Sequence, residues 1–523
     1  MQASDVPFNG HDAYTCLRDA GVGHTVTREL EDHLIKLFLS WENPFIHVVD
    51  EELFMEARAK ALSENTADSG VRLGCYNQVL VNAMCAIGAA FTDQAISELP
   101  TSLSEFFQRR ARVLLDADMA NSSIATVQAL AIMSAHEAAV TRDARGWLYS
   151  GMAMRLAVDL GLHLNSDPGA QREPLSDQED VARCVTFWGI FIVDLNWSYY
   201  VGRLSMHIEL GGIKIPKLSQ SLRKSQNWEE YTDEALQEAH SSKLYDDPLD
   251  NVLEHQVNLY QTMRRLQLIF SDRKQNPLET INARTEKIIT ELRMWKKSLP
   301  SNVSDPENSL AGSAQKRTLP HVLLLHMQYH ELMIFANHPL IAAADSSLTA
   351  KSIKTCNKSA RAITFLLQVY SQTWSLRRMS VQGVHMIFSA ALVHLLLACT
   401  SNLAPQREIA VANLKACCEA LKELSTPFRS ASRALDSLSQ ARQKWQASLE
   451  NDTDTPLKLY FRIQQPISDP EIWQAVDKVI CKGSHVEEDD PQSGDVSWLE
   501  GWMTMSRPSD SLVDELSRID PRT

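Results

Sequence analysis

Apolar residues recur along most of the chain with the spacing of amphipathic helices. The first clear pattern starts at Leu30 and runs to Phe38 with i, i+4, i+7, i+8 spacing, which places its members on one helical face. We expect this helix to end before Pro44, because the residue preceding a proline is disfavoured in the helical conformation. Further helical patterns cover about 75–92, 101–119, 123–140, 145–160, 277–298, 319–340, 350–371, 379–400 and 405–424, with another starting at Val252.

The helix predicted at 145–160 carries large apolar residues and a clear end signal. Gly161 stands where a left-handed residue commonly ends a helix, and His163 lies just beyond the negative end of the helix dipole. We expect the stripe to anchor the helix in the core. Its members are Trp147, Leu148, Met152, Leu156 and Leu160.

A strongly apolar helix is predicted next. Ser176 and Glu179 form a Ser-x-x-Glu capping box that would open it. The residues predicted to point inward are Val181, Cys184, Val185, Trp188, Phe191, Ile192 and Leu195.

These patterns predict an all-α protein built around one large multi-helix domain at 28–450. Residues 1–27 are polar and form a loose N-terminus, residues 217–250 are a polar insertion, and residues 451–523 are an acidic tail that we expect to be disordered. The segment 431–449 is predicted to be an exposed helix. Scarce glycine and proline, 19 and 20 among 523 residues, favour long helices over a fold rich in turns.

Charge and composition limit the partners. The net charge of −14 argues against nucleic-acid binding by the chain alone, since phosphate contacts need a surplus of basic residues. The first residues lack the pattern of a signal peptide, so the nine cysteines are expected to stay reduced. The run Met386 to Cys399 is too short to cross a bilayer and is typical of a core helix. No membrane partner is predicted.

The tail combines acid with large apolar residues. Residues 487–523 hold ten acidic and three basic side chains, a net charge of −7. Trp498 and Trp502 lie within this acidic stretch, a mixture typical of segments that fold on a partner such as a coactivator. A solvated tail with a docked tryptophan is the simpler interpretation and the one we favour from composition alone.

Motifs for catalysis are missing. The sequence has no Rossmann fingerprint, phosphate-binding loop, Gly-x-Ser-x-Gly or His-Glu-x-x-His, so an enzyme is not expected and no catalytic residue is assigned. His326 and His330 could share a metal on one helical face, but two ligands do not make a site. We expect both to be structural histidines.

One carboxylate cluster offers an enzymatic alternative. Asp246, Asp247 and Asp250 match Asp-Asp-x-x-Asp, with which all-α terpene cyclases hold magnesium diphosphate. Pro248 interrupts the helix that should present it, and a second metal motif fails where Leu459 replaces the required glutamate. A solvated acidic turn is the better interpretation. No metal or cofactor is predicted, since the cysteines also lack the close spacing of zinc modules.

Four stretches resemble the fungal-specific transcription factor domain, the regulatory region of fungal zinc-cluster regulators. They are the helix 145–163, an opening segment at 34–54, the aromatic run 187–203 and the segment 326–340. Leu204 stands where the family usually has proline, and Asn337 begins an Asn-His-Pro in place of the commoner His-Arg-Pro. The positions that carry the resemblance are Trp147, Gly151, Arg155, Leu160, Gly161, His163, Trp188, Asp194, Gly202 and Arg203.

The resemblance implies a nuclear regulator of transcription. We expect most of these positions to determine the fold or to line an effector pocket, and Asp194 and Arg203 to pair across a helix-to-loop junction. Family members bind zinc through an N-terminal cysteine cluster, which residues 1–27 do not contain. DNA contact would therefore be indirect or through an N-terminal module, and a homodimer or heterodimer with a zinc-cluster regulator is expected. A scaffold or corepressor that only dimerises is the other alternative.

Overall fold

A computed structural model describes most of the chain. The described residues are 10–63, 74–92, 101–164, 177–202, 205, 227–236, 243–271, 278–304, 306, 317–340, 346–401, 403–450 and 476–480. The predicted tail segment 487–523, with Trp498 and Trp502, therefore lies outside them, as do Ser176 of the expected capping box and Arg203.

Helices make up nearly all of the described structure, which confirms the all-α prediction. In chain order they are α1 (Gly10–Asp19), α2 (Arg28–Trp41), α3 (Asn43–Ile46), α4 (Glu51–Ser63), α5 (Gln78–Gly88), α6 (Leu103–Asp118), α7 (Ile124–Ala139), α8 (Asp143–Asp159), α9 (Asp177–Tyr200), α10 (Leu249–Ser271), α11 (Leu278–Ser298), α12 (Pro320–Asn337), α13 (Ser346–Thr373), α14 (Gln382–Thr400), α15 (Ala404–Leu424) and α16 (Arg429–Glu450). Two short strands, β1 (Asn227–Glu229) and β2 (Leu244–Asp246), pair antiparallel.

Local sequence signals explain where several helices begin and end. The side chains of Thr27, Asn77 and Ser102 accept hydrogen bonds from the first turns of α2, α5 and α6, as N-cap residues commonly do. Pro320 occupies the first turn of α12, where its missing N–H costs nothing. After α8, Gly161 adopts a φ of +67°, and this left-handed residue confirms the predicted helix end.

Helices that are neighbours in the chain pack mostly against each other. The closest pairs are α5 with α6, α7 with α8, α12 with α13 and α14 with α15. Contacts of α9 with α10, α3 with α12 and α16 with α7 join the earlier helices to the later ones. The buried apolar side chains form one continuous cluster.

The core is centred on helices that are apolar all round. Every residue of α12 is buried. By length and hydropathy α14 is the one described helix that could cross a membrane, but 89% of its apolar window is buried inside the protein. This is the behaviour of a core helix, as predicted for Met386 to Cys399.

The polar insertion predicted at 217–250 differs from a plain loop where it is described. The strands β1 and β2 place Trp228 in the core, where its indole N–H donates to the Ser40 carbonyl over 2.8 Å. Its ring lies 5.3 Å from that of Trp41 and 5.2 Å from that of Trp374. Because a single tryptophan buries a large apolar surface, it fixes a segment whose average composition is polar.

The helix α8 is most deeply buried at positions beside the predicted stripe. Leu148 is 57% exposed, and the other four members of the expected stripe are only half-buried. The buried positions are the small residues Gly146, Ser150, Ala153 and Ala157 together with Tyr149 and Met154. The small residues let α8 approach its neighbours closely. Trp147, Met152, Leu156 and Leu160 pack against the core from its edge, so the predicted stripe was wrong only for Leu148.

The helix α16 also differs from its prediction as an exposed helix. One face is buried, including Leu435 and Leu438, and it packs on α14 and α15. Alternating small and charged residues lower its average hydrophobicity although the buried positions keep helical spacing.

Candidate functional site

A pocket lies where the earlier helices of the chain, α7 and α9, meet the later helices α12, α14 and α16. It is bounded by the ends of α7 and α9, the middle of α12, and the starts of α14 and α16. Its volume is about 60 Å³, which is enough for a few water molecules or a small polar molecule.

The carboxylate of Glu331 is the centre of this pocket. Glu331 is the one acidic residue of the buried helix α12 and is only 3% exposed. His385 Nδ1 lies 2.5 Å from Glu331 Oε1, and the Ser389 hydroxyl donates to the same oxygen over 3.2 Å. Gln328 Nε2 donates to Oε2 over 2.8 Å. A buried charge persists only when it is well hydrogen-bonded, and these three side chains supply those bonds.

The hydrogen-bond network continues to α10 and α9. The Tyr260 hydroxyl lies 2.9 Å from Gln328 Oε1 and 2.8 Å from Asn196 Oδ1, and burial raises its pKa. The amide nitrogen of Asn196 is buried and lacks a hydrogen-bond partner among the described residues. Since Asn196 lines the pocket, it offers a bound molecule a free donor.

Aromatic rings form the walls around the network. The imidazole of His385 meets the rings of Tyr199 and Tyr200 edge-on, at 5.0 and 5.6 Å between centroids. Burial and the charge of Glu331 hold the pKa of Tyr199 well above its usual value. Burial likewise raises the pKa of Tyr200, so both hydroxyls remain hydrogen-bond donors even in alkaline solution.

A charged clasp closes the pocket on the α16 side. Arg433 makes two hydrogen bonds to Asp143, at 2.7 and 3.0 Å, and contacts the Tyr200 hydroxyl. Because Asp143 begins α8 and Tyr200 ends α9, these contacts of Arg433 connect α16 to α8 and α9, the two helices that carry most of the family resemblance.

The arrangement can bind a small molecule, but nothing in it favours chemistry on that molecule. In the described part of the chain, no group of three or more histidine, cysteine or acidic side chains could hold a metal ion. The carboxylate, amide and tyrosine groups can instead orient a ligand through hydrogen bonds, as polar groups do in mostly apolar binding sites.

The positions of the family resemblance on α8 lie outside this pocket. Trp147, Gly151 and Leu160 are half-buried, and Arg155 is exposed. His163 is largely buried, and burial together with Arg183 lowers its pKa. Arg183 also donates to the Gly161 carbonyl over 2.7 Å, so it is the cation at the end of α8.

The remaining positions of the resemblance belong to α9 and the turn after it. Trp188 is buried in the core, and Gly202 adopts a φ of +65° that favours glycine. The buried Asp194 lies 3.5 Å from the Ser150 hydroxyl of α8. Arg203, its predicted partner, lies outside the described residues.

The histidines and acids considered as metal ligands have other contacts. His326 Nε2 lies 3.0 Å from the Val303 carbonyl, and His330 Nε2 lies 3.2 Å from Lys296 Nζ. Asp247 lies 2.9 Å from His321 Nε2. Asp246 ends β2 and Asp250 is in the first turn of α10. The magnesium-site alternative therefore gains no support from the described structure.

The residues that build the pocket carry no recognisable motif in the sequence. Glu331 and His385 are 54 positions apart, and no spacing rule connects them. The available signal was a single acid in an apolar helix, since a core carboxylate needs partners.

Comparison with known proteins agrees with the resemblance. The family model described as "Fungal specific transcription factor domain" matches residues 35–309. The chain is 30% identical over 450 residues to the nitrogen assimilation transcription factor nirA of Emericella nidulans, covering 82% of this chain and 46% of nirA. It is 28% identical over 455 residues to nit-4 of Neurospora crassa, a protein of the same description, covering 83% of this chain and 38% of nit-4.

A yeast protein extends the comparison. The Activatory protein CHA4 of Saccharomyces cerevisiae is 24% identical over 327 residues, covering 59% of this chain and 47% of CHA4. The chain therefore spans less than half the length of each of these relatives. Because the family model covers more than half of the 523 residues, the chain belongs to the fungal specific transcription factor domain family.

Proposed function

We propose that this chain is the regulatory part of a fungal transcription factor and controls RNA polymerase II transcription in the nucleus. The observation that carries the proposal is the family match over residues 35–309. The relatives nirA and nit-4 are both named transcription factors. DNA would be reached through a zinc-cluster module or a dimer partner, because the nine cysteines of this sequence lack zinc-cluster spacing.

A tethered reporter tests this function. The whole chain is fused to a heterologous DNA-binding module in a fungal host, and the transcript of a reporter with matching sites is measured. A regulator changes the transcript level severalfold relative to the module alone. A transcript level equal to that of the module alone, from a fusion that accumulates in the nucleus, would refute the proposal.

We further propose that the tail contacts a coactivator through Trp498 and Trp502. The support is the sequence, in which both tryptophans lie among ten acids. Replacing both with alanine in the tethered fusion should reduce an activating output to background, because aromatic anchors contribute most of the energy of such contacts. Output that stays at the level of the unmodified fusion would exclude this role.

The pocket is our candidate site for a small effector. Its support is geometric, since Glu331 and Asn196 face a space that α9, α12, α14 and α16 all border. A ligand there would contact helices from both parts of the chain and could change how they pack. The isosteric Glu331→Gln substitution should make reporter output independent of growth conditions that alter the unmodified protein. A correctly folded variant with an unchanged response would eliminate this pocket.

A further inference from the structure

A second concave surface crosses α13, the end of α14 and the start of α15. We call it the basic groove. Its cationic side chains are Lys354, Lys358 and Arg361, and its apolar ones are Ile353, Phe365 and Leu397. It is much larger than the pocket at Glu331, with about 970 Å³ of space, which is room for several side chains of a peptide segment.

The three basic side chains of the groove are exposed and uncompensated. They recur with i, i+4, i+7 spacing on α13, which puts them on one face. Within the described part of the chain no carboxylate lies within ion-pair distance of any of them. Lys351 on the same helix differs, because its amine lies 2.8 Å from the Glu286 carboxylate. Three neighbouring positive charges on a chain with a net charge of −14 attract an acidic partner.

The floor of the groove is apolar. Ile353, Phe365 and Leu397 are each half-buried and pack on the core from outside. Just beyond Ser401, which also lines the groove, Leu403 is 58% exposed. A partner that covers this surface needs large apolar side chains as well as acids.

The last described segment of the chain, 476–480, packs near the end of α14. In the segment 476–480, Val476 and Ile480 are buried and Asp477 is 2.5 Å from Arg442. Both charges lie near enough to Cys399 to influence it electrostatically. Cys399 lies in the last turn of α14, whose end borders the groove through Leu397 and Ser401, so the segment 476–480 packs beside the same helix end.

The sequence beyond residue 480 has the composition that the groove requires. Four consecutive acids occupy 487–490, followed by Trp498 and Trp502. An extended chain spans at most about 3.4 Å per residue. The acids can therefore lie up to roughly 24 Å from Ile480, and Trp498 up to roughly 60 Å. Length does not limit this contact.

We propose that the basic groove binds the acidic segment 487–505 of the same chain. The acids at 487–490 pair with Lys354, Lys358 and Arg361, and the tryptophans cover the apolar floor. If the tail contacts a coactivator, a consequence that rests on the proposed function, this docking hides Trp498 and Trp502 and keeps output low until the tail is released.

Zero-length carbodiimide cross-linking of the full chain tests the docking. Mass spectrometry should find Lys354 or Lys358 joined to acids at 487–490. In a mixture of ¹⁴N-labelled and ¹⁵N-labelled protein the linked peptides should carry one isotope, because the contact is within one chain. Mixed-isotope links would assign the tail to a second copy and overturn the proposal, as would the absence of these links.

Arg361→Glu keeps both reactive lysines and reverses one groove charge. Cross-link yield should fall roughly fivefold, the size expected when partly exposed charge pairs are lost. The double substitution of Trp498 and Trp502 by alanine should lower it too. Arg293→Glu, on the exposed side of α11, is the matched control and should leave the yield unchanged. Equal yields in all folded variants would refute the proposal.

A nucleic-acid role for the groove is excluded by a parallel measurement. If a DNA duplex binds the chain, Arg361→Glu weakens that binding, and the cross-links are missing, the groove serves phosphate and the proposal fails. Cross-linking and reporter output are separate readouts. Loss of the links with an active reporter would remove only the docking. Intact links with a reporter that stays silent even in the Arg361→Glu fusion, where the tail is released, would remove only the regulatory function.

Discussion

Two glycines of α8 should respond in opposite ways to the same substitution. A Cβ atom added at Gly146 would lie 2.2 Å from Trp197 Cζ2 and 3.1 Å from the Ser134 carbonyl oxygen. A Cβ atom added at Gly151 would have no neighbour within 4 Å. Both residues lie within α8, and the substitution is the same at each. The difference in stability between the two variants therefore reports the difference in packing around the two positions.

The expected change in the free energy of unfolding combines three contributions. Alanine gains about 1 kcal/mol over glycine inside a helix. At Gly146 the Trp197 ring must move by more than an ångström, and overpacking a buried site costs about 1–3 kcal/mol. That movement also strains the 3.1 Å hydrogen bond from Trp197 Nε1 to the Ser134 hydroxyl, worth about 1 kcal/mol. Gly146→Ala should therefore destabilise the protein by about 2 kcal/mol, whereas Gly151→Ala should stabilise it by up to about 1 kcal/mol.

Urea unfolding at constant pH, followed by tryptophan fluorescence and by circular dichroism, measures both variants. The expected order of unfolding midpoints is Gly151→Ala, unmodified protein, Gly146→Ala. A Gly146→Ala variant as stable as the unmodified chain would show that α8 does not approach α9 as closely as the structure has it.

Three further predictions concern buried charge and the exposed face of α8. Burial raises the pKa of Glu42 to about 7, and among the described residues neither carboxylate oxygen has a hydrogen bond of good geometry. Because this folded-state pKa lies above the unfolded one, the free energy of unfolding falls as pH rises from about 4.5 to 7. Glu42→Gln should therefore be more stable than the unmodified protein by about 3 kcal/mol at pH 8 and by almost nothing at pH 4. A stability difference that stays constant across that pH range would refute this. Glu137 is fully buried, accepts a hydrogen bond from Gln108 over 2.8 Å and lies 3.5 Å from Arg142 Nη1. Glu137→Ala should lower the free energy of unfolding by about 3 kcal/mol, measured by chemical unfolding. As a control, Glu56→Ala at an exposed position should lower it by less than about 0.5 kcal/mol. Leu148→Ser should change the free energy of unfolding little, because the Leu148 side chain is 57% exposed. A loss of more than about 1 kcal/mol would show that Leu148 packs in the core, as the sequence pattern predicted.

Helical periodicity predicted the positions of the helices well, but it predicted less well which face of each helix is buried. The predicted helix at 319–340 corresponds to Pro320–Asn337, and the one at 405–424 to Ala404–Leu424. Periodicity finds a helix but not which of two faces is buried when both contain apolar residues. On α8 the choice is made by Trp197 lying against Gly146, a contact between residues 51 positions apart.

The pocket was beyond sequence reasoning for a related reason. Its carboxylate, imidazole and amide groups come from separate helices, and each is unremarkable in its own segment. Asn196 was part of a predicted apolar helix, and Arg433 of a helix expected to be exposed. Only the packing of α9, α12, α14 and α16 brings them together.

Chromatin immunoprecipitation of the protein, tagged at its own locus and expressed at its natural level, tests the central claim most directly. The account predicts discrete enrichment at promoters, whether DNA is contacted directly or through a partner. A protein that is present and folded in the cell but gives the same profile as an untagged strain would contradict the claim that this chain regulates transcription.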